Sequence, residues 1–331
     1  MQFAPVANAQ TLINGAGATF PYPLYSKWFA EYQKVAKDVS INYQSIGSGG
    51  GVRLFQERTV DFGASDSPMN AEQIAKNPEP ALHIPTALGA VVATYNLPGV
   101  DGNLQLTPDV LADIFLGKLT SWDDARIQKD NPKAKLPKTP IMIVHRADGS
   151  GTTGIFTDYL SKVSPAWQKQ VGAGSAVKWP VGLGGKGNEG VTALVKQTPG
   201  TIGYVELIYA KSNNLAYAAI QNNAKVFVLP SVESVTAAAS ESLASIPDDF
   251  RVSITNAAGK DSYPISSFTY ILVYQNQPTG KGEKLVAFLR WAIKEGQLMS
   301  GPLHYAQLPS SLVPKISAKL DTIKFGAAKA L

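Results

Sequence analysis

The sequence contains no cysteine and only three histidines in 331 residues. The missing thiols exclude disulfides, Cys-ligated zinc, iron–sulfur clusters and a cysteine nucleophile. They do not fix the compartment, because a chain this long buries a large core without cross-links. The histidines His83, His145 and His304 lack the pairwise spacing of a shared metal site. No apolar run approaches the ~18 residues of a transmembrane helix. The best, Ala87 to Tyr95 and Phe268 to Tyr274, are strand-sized, so a soluble chain is expected. No Walker A motif exists, since Gly187 rather than Ser or Thr follows Lys186. Arg-rich helices, RNA-recognition signatures and zinc-finger spacings are also missing. The net charge of +5 therefore reads as a solvated basic surface, with no nucleic-acid partner expected.

What is present is an ordinary globular balance, with 44% hydrophobic and 17% charged residues. The length suggests two domains. Ala7-Asn8-Ala9 matches the A-x-A pattern that precedes signal-peptide cleavage. Residues 1–9 are accordingly expected to be a signal-peptide remnant or a tag, ahead of an exported protein.

Strand and helix signals alternate, which predicts an α/β fold with largely parallel sheets. Strands are expected at Thr11 to Asn14, Val39 to Ile46, Asp61 to Ala64, His83 to Tyr95, Pro140 to Val144, Ile202 to Val205 and Pro264 to Tyr274. Helical spacing marks Pro23 to Ala36, Val52 to Arg58, Thr107 to Leu116, Thr153 to Lys162, Val191 to Gln197 and Ser231 to Ser245. Two long helices, Gly282 to Met299 and Ser310 to Lys324, should close the chain.

Three segments share one design. They are Gly15-Ala16-Gly17-Ala18-Thr19-Phe20, Gly47-Ser48-Gly49-Gly50-Gly51 and Asp148-Gly149-Ser150-Gly151-Thr152-Thr153. Each puts glycines and a hydroxyl where a strand ends and a helix begins. The first helical N–H groups lack partners, the helix dipole is positive there, and glycine lets a ligand approach the backbone. Such a place binds anions, although capping alone also explains any one of them. Arg146 and Asp148 flank the third segment, and the planar guanidinium fork suits an oxyanion. Asp66 repels a bare oxyanion but can accept a hydrogen bond from one that carries a proton. Phosphate keeps a proton at neutral pH and sulfate does not.

Read in order, GAGATFPYPLYSKW, YQSIGSGGGV, VDFGASDSPM, LGKLTSWDD, HRADGSGTT, KWPVGLGGKGNEGV and GTIGYVE resemble the periplasmic phosphate-binding protein family of bacterial phosphate ABC transporters. The resemblance runs from about Leu12 to beyond Leu308. It implies a two-domain clamshell of the class II-like periplasmic binding-protein type, hinged around a cleft. The implied domains are 10–92 plus 266–331 and 93–265. The implied phosphate contacts are Thr19, Phe20 (through its backbone), Ser48, Asp66, Arg146, Asp148, Ser150, Gly151 and Thr152. It further implies a monomer in the periplasm, a membrane permease as partner, and neither cofactor nor catalysis. His145 stands where some relatives have a second arginine.

Two alternatives remain at this point: a binder of another oxyanion, and a phosphatase using the same anion site. The second lacks a visible nucleophile–base pair or metal ligands. Gly182 to Gly187 matches G-x-G-x-x-G literally, but Lys178 to Val181 is a poor strand, so a loop at the domain interface or cleft rim is expected instead of a nucleotide site.

Overall fold

Apolar runs bounded by glycine become strands, and segments with apolar residues every three or four positions become helices. The computed structural model describes residues 10–326, so the leader expectation for residues 1–9 lies outside the described residues. The chain opens with β1 (Thr11–Gly17), α1 (Tyr22–Val35), β2 (Val39–Ser45), α2 (Ser48–Gln56) and β3 (Phe62–Ser65). In α1, Leu24, Trp28 and Tyr32 recur every fourth residue and, with Tyr25, form the buried face. Pro23 is tolerated in its first turn, where an N–H would have no helical partner.

Next comes β4 (Ala81–Tyr95), followed by β5 (Met142–Arg146), α3 (Gly151–Val163), β6 (Leu183–Gly185), α4 (Gly187–Gln197), β7 (Thr201–Glu206), β8 (Ala216–Tyr217) and β9 (Ser266–Tyr274). These strands make one continuous path, β2-β1-β3-β9-β4-β7-β5-β6, with β8 also paired to β4. The pairs β1–β2, β1–β3, β5–β7 and β5–β6 are parallel. The pairs around β4 and β9 are antiparallel.

β4 ties the sheet together. It is 15 residues long and buried from His83 onward, so its apolar run does not alternate. Through Ala90 it pairs with β9, and from Val91 it pairs with β7. One strand thus serves two halves of the sheet. Its pairing with β9 shifts register between Thr269 and Tyr270, beside Pro85. Proline has no N–H for a ladder, and such irregularities are where strands accept it.

Four expectations need correction. The sheet is not largely parallel, because β4 and β9 pair antiparallel with all their neighbours. The segment Gly282 to Met299 is not one helix: Lys281–Ala292 is α-helical and Glu295–Met299 is a 3-10 turn. Tertiary bonds decide this, because Gly296 carbonyl accepts from Trp28 Nε1 at 2.7 Å and Gln297 Nε2 donates to Thr86 carbonyl at 2.8 Å. The last helix is Val313–Asp321, shorter than Ser310 to Lys324, with Pro314 in its first turn. Lys324–Gly326 then pairs with Asn276–Pro278 as a strand. Finally, the glycine-rich stretch holds an edge strand, β6, and α4 starts at once behind it.

Candidate functional site

The three glycine–hydroxyl turns meet at one place between the two halves of the sheet. After β1, Thr19 and Phe20 lead into α1. After β2, Gly47 adopts φ 88°, a left-handed value suited to glycine, and α2 begins at Ser48. After β5, Asp148-Gly149 turns the chain and Ser150 caps α3, its hydroxyl accepting from Thr153 N–H at 3.0 Å.

The cleft between the halves is shut. Gly49 N–H donates to Gly149 carbonyl at 2.9 Å. Tyr209 donates through its hydroxyl to Thr19 carbonyl at 2.6 Å. Ser67 Oγ reaches Gly151 carbonyl at 3.4 Å. One close approach needs glycine: a Cβ on Gly151 would lie 2.6 Å from Asp66 Oδ2 and overlap Ser48 Oγ.

Arg146 is buried and gripped from both sides of its fork. Nε donates to Asp148 Oδ1 at 2.7 Å and Nη2 to Oδ2 at 2.6 Å. Nη1 donates to Thr152 Oγ1 at 3.3 Å. Burial works against the Asp148 charge, yet the Arg146 guanidinium and the Gly187 N–H, 3.1 Å from Oδ1, hold its carboxyl below the usual carboxylate range. Asp148 therefore orients a cation whose remaining donor edge faces the α3 turn.

Asp66 follows β3 and is 1% exposed. Thr269 Oγ1 donates to Oδ1 at 2.9 Å, and Ser48 Oγ lies 3.3 Å from Oδ2. Burial pushes its carboxyl up to about 7, against the opposing pull of Thr269, Arg146 and Ser48. A buried acid thus lies within the electrostatic reach of a fixed guanidinium.

Every residue named from the sequence lies in this region. Thr19, Phe20, Ser48, Asp66, Arg146, Ser150, Gly151 and Thr152 are buried, and Asp148 is partly so. Phe20 packs its ring edge-on to Tyr305, which donates to its carbonyl at 2.6 Å. His145 points the other way. It neighbours Arg146 on β5, so its side chain leaves the opposite face; its ring stacks on Trp179 with centroids 4.9 Å apart. Four participants escaped the sequence reading: Gly187, Asn188, Tyr209 and Thr269. Gly187 and Asn188 open α4 at the end of the stretch Gly182 to Gly187, which was read as a loop at the domain interface or cleft rim, and the missing signal was the three-residue strand before it. Among the described residues no group of three or more His, Asp or Glu side chains could hold a metal ion.

Comparison with known proteins shows the family and the fold. A family model described as a PBP superfamily domain matches residues 4–295. The chain is 48% identical to the phosphate-binding protein PstS of Xylella fastidiosa strain Temecula1, over 92% of this chain and 84% of that one. It is 47% identical to the phosphate-binding protein PstS of Pasteurella multocida, over 97% and 92% respectively. Among solved structures, a high affinity periplasmic phosphate-binding protein (PfluDING) bound with phosphate superposes with a TM-score of 0.72 at 20% identity, covering 93% of each chain. A phosphate binding protein from Stenotrophomonas maltophilia gives 0.67 at 18%, again over 93% of each. The fold is that of a two-domain periplasmic binding protein, and the chain belongs to the PstS family of phosphate-binding proteins within the PBP superfamily.

Proposed function

We propose that this protein captures inorganic phosphate in the shut cleft and delivers it, outside the inner membrane, to the permease of a phosphate ABC transporter. The observation that carries this reading is the pairing of opposite chemistries. Arg146, the start of α3 and the hydroxyls of Thr19 and Thr152 offer positive potential and donors, and Ser48, which here donates to Asp66 at 3.3 Å, can turn its proton to the ligand. Asp66, in the same space, offers an acceptor. Only an oxyanion that still carries a proton satisfies both sets. A fully deprotonated anion leaves a buried carboxylate facing it with no hydrogen between them.

In this reading Thr19, Phe20, Ser48, Asp66, Arg146, Ser150, Gly151 and Thr152 contact the ligand, and Asp148 holds Arg146 in place. The domains are 10–92 with 266–331 and 93–265, a division supported by the change of partner along β4 between Ala90 and Val91. Opening then bends β4 and β9 near that point. The protein acts as a monomer in the periplasm. Binding proceeds without catalysis: the Ser150 hydroxyl is engaged as a helix cap and His145 faces Trp179, so neither has the partner that a nucleophile–base pair needs.

Calorimetric titration of ligand-stripped protein with phosphate and then sulfate tests the reading. Tight phosphate binding without sulfate binding at pH 8 is expected. Folded protein that ignores phosphate would overturn it.

A further inference from the structure

Asn188 is fully buried at the start of α4 and makes four hydrogen bonds around the site. Its Oδ1 accepts from the Glu206 backbone N–H at 2.9 Å. A backbone N–H can only donate, so this contact fixes which end of the amide is which. The Nδ2 end must then face the two threonines. It reaches Thr19 Oγ1 at 2.7 Å and Thr152 Oγ1 at 3.2 Å.

Each of those hydroxyls receives a second donor. Asn188 backbone N–H reaches Thr19 Oγ1 at 3.2 Å, and Arg146 Nη1 reaches Thr152 Oγ1 at 3.3 Å. A hydroxyl oxygen has two lone pairs and one proton. With both lone pairs taken by fixed donors, what each threonine has left to offer is its proton.

We infer that Asn188 is a positioning residue that sets the polarity of Thr19 and Thr152, so that both hydroxyls present protons to the bound anion. The inference rests on the phosphate reading above and deepens it. An unconstrained hydroxyl rotates between donating and accepting; a hydroxyl held as a donor is organised for an anion before the anion arrives. The geometry also links polarity to closure. Thr19 follows β1 in one half of the sheet, while Asn188 and Thr152 belong to the other. Thr19 reaches Asn188 only when the cleft is shut, so its donor polarity is completed by the same movement that buries the ligand.

The test is a mutant cycle on phosphate affinity, read by calorimetry. Asn188→Ala in the native background should weaken binding about tenfold or more, as for a lost hydrogen bond to a charged group. In a Thr19→Val, Thr152→Val background the same change should cost less than about twofold, because the hydroxyls through which it acts are gone. A purely structural role would give equal losses in both backgrounds, and that result overturns the inference. So does native-like affinity in the single variant. If the native protein itself binds no phosphate, the functional reading falls first and this one with it. Should Asn188→Ala fail to fold, Asn188→Asp keeps the shape and the Glu206 contact while offering the threonines an acceptor. Loss of about tenfold or more is then expected, and native-like affinity would again overturn the inference.

Discussion

Thr269 Oγ1 donates to Asp66 Oδ1 at 2.9 Å across 203 residues of chain. The bond occupies one carboxylate oxygen from the β9 side, while the other accepts from Ser48 Oγ at 3.3 Å. It also stabilises the charged form, yet burial outweighs it and the acid sits near 7. The behaviour of this one carboxyl group yields two predictions.

Anion discrimination should depend on pH. Above about 7 Asp66 is ionised and accepts a proton-bearing ligand only. As pH falls through that value, the protonated acid can donate to a bare oxyanion. Sulfate affinity should rise between pH 8 and pH 5.5, while the phosphate complex, which carries a shared proton in either form, changes less. Asp66→Asn should bind sulfate at both pH values. Paired titrations at the two pH values check this, and sulfate binding that is flat with pH in the native protein would refute it.

Stability of the ligand-free protein should move in a fixed direction. The folded acid is raised to about 7 from an ordinary value of 3.8. Below 3.8 both states hold the proton and burial of the neutral acid carries no ionic penalty. As pH rises towards 7 the unfolded chain releases the proton first and stability is lost. Asp66→Asn should therefore add up to about 4 kcal/mol of stability at pH 8, read as a higher melting temperature, and the gain should vanish near pH 4. Thermal denaturation across that range is the measurement.

Arg146→Lys is not a conservative change here. An ammonium cannot hold Asp148 through two parallel bonds and reach Thr152 as well. Phosphate affinity should fall about 100-fold or more, measured by titration, with far-ultraviolet circular dichroism unchanged. A loss under about threefold would show that the fork geometry is irrelevant.

Gly151→Ala should prevent closure. The added methyl group would occupy space taken by Asp66 and Ser48 from the opposite half, while α3 itself gains a better helix former. Overpacking of this kind costs about 1–3 kcal/mol, or roughly 5- to 150-fold in affinity. The ligand-free melting temperature should hold and the rise that phosphate produces in the native protein should shrink. Differential scanning fluorimetry with and without phosphate separates the two effects.

The sequence made some of this legible and concealed the rest. β4 and β9 were visible because uninterrupted apolar runs admit little but a buried strand. The anion turns were visible because glycine, a hydroxyl and a following helix leave a local signature. β6 was not, since Leu183-Gly184-Gly185 has one apolar side chain and no pattern; its strand character comes entirely from pairing with β5. Thr269 carried no local mark inside an apolar run, and only the register of β9 brings it to Asp66. Asn188 likewise needed the turn after β6 to be known before its amide could be placed. The helix end near Ala292 was missed because Trp28 and Gln297 impose bonds that spacing does not encode.

The strand shared by both halves has a consequence for how the chain comes to be folded at all. Neither half can complete its sheet from a continuous stretch of sequence. The first must wait for β9, made after the whole of the second, and the second borrows the far end of β4 from the first. The two lobes should consequently melt as a single cooperative unit in calorimetry, without the separate transitions of domains strung on a linker, even though they move as two bodies when the cleft opens.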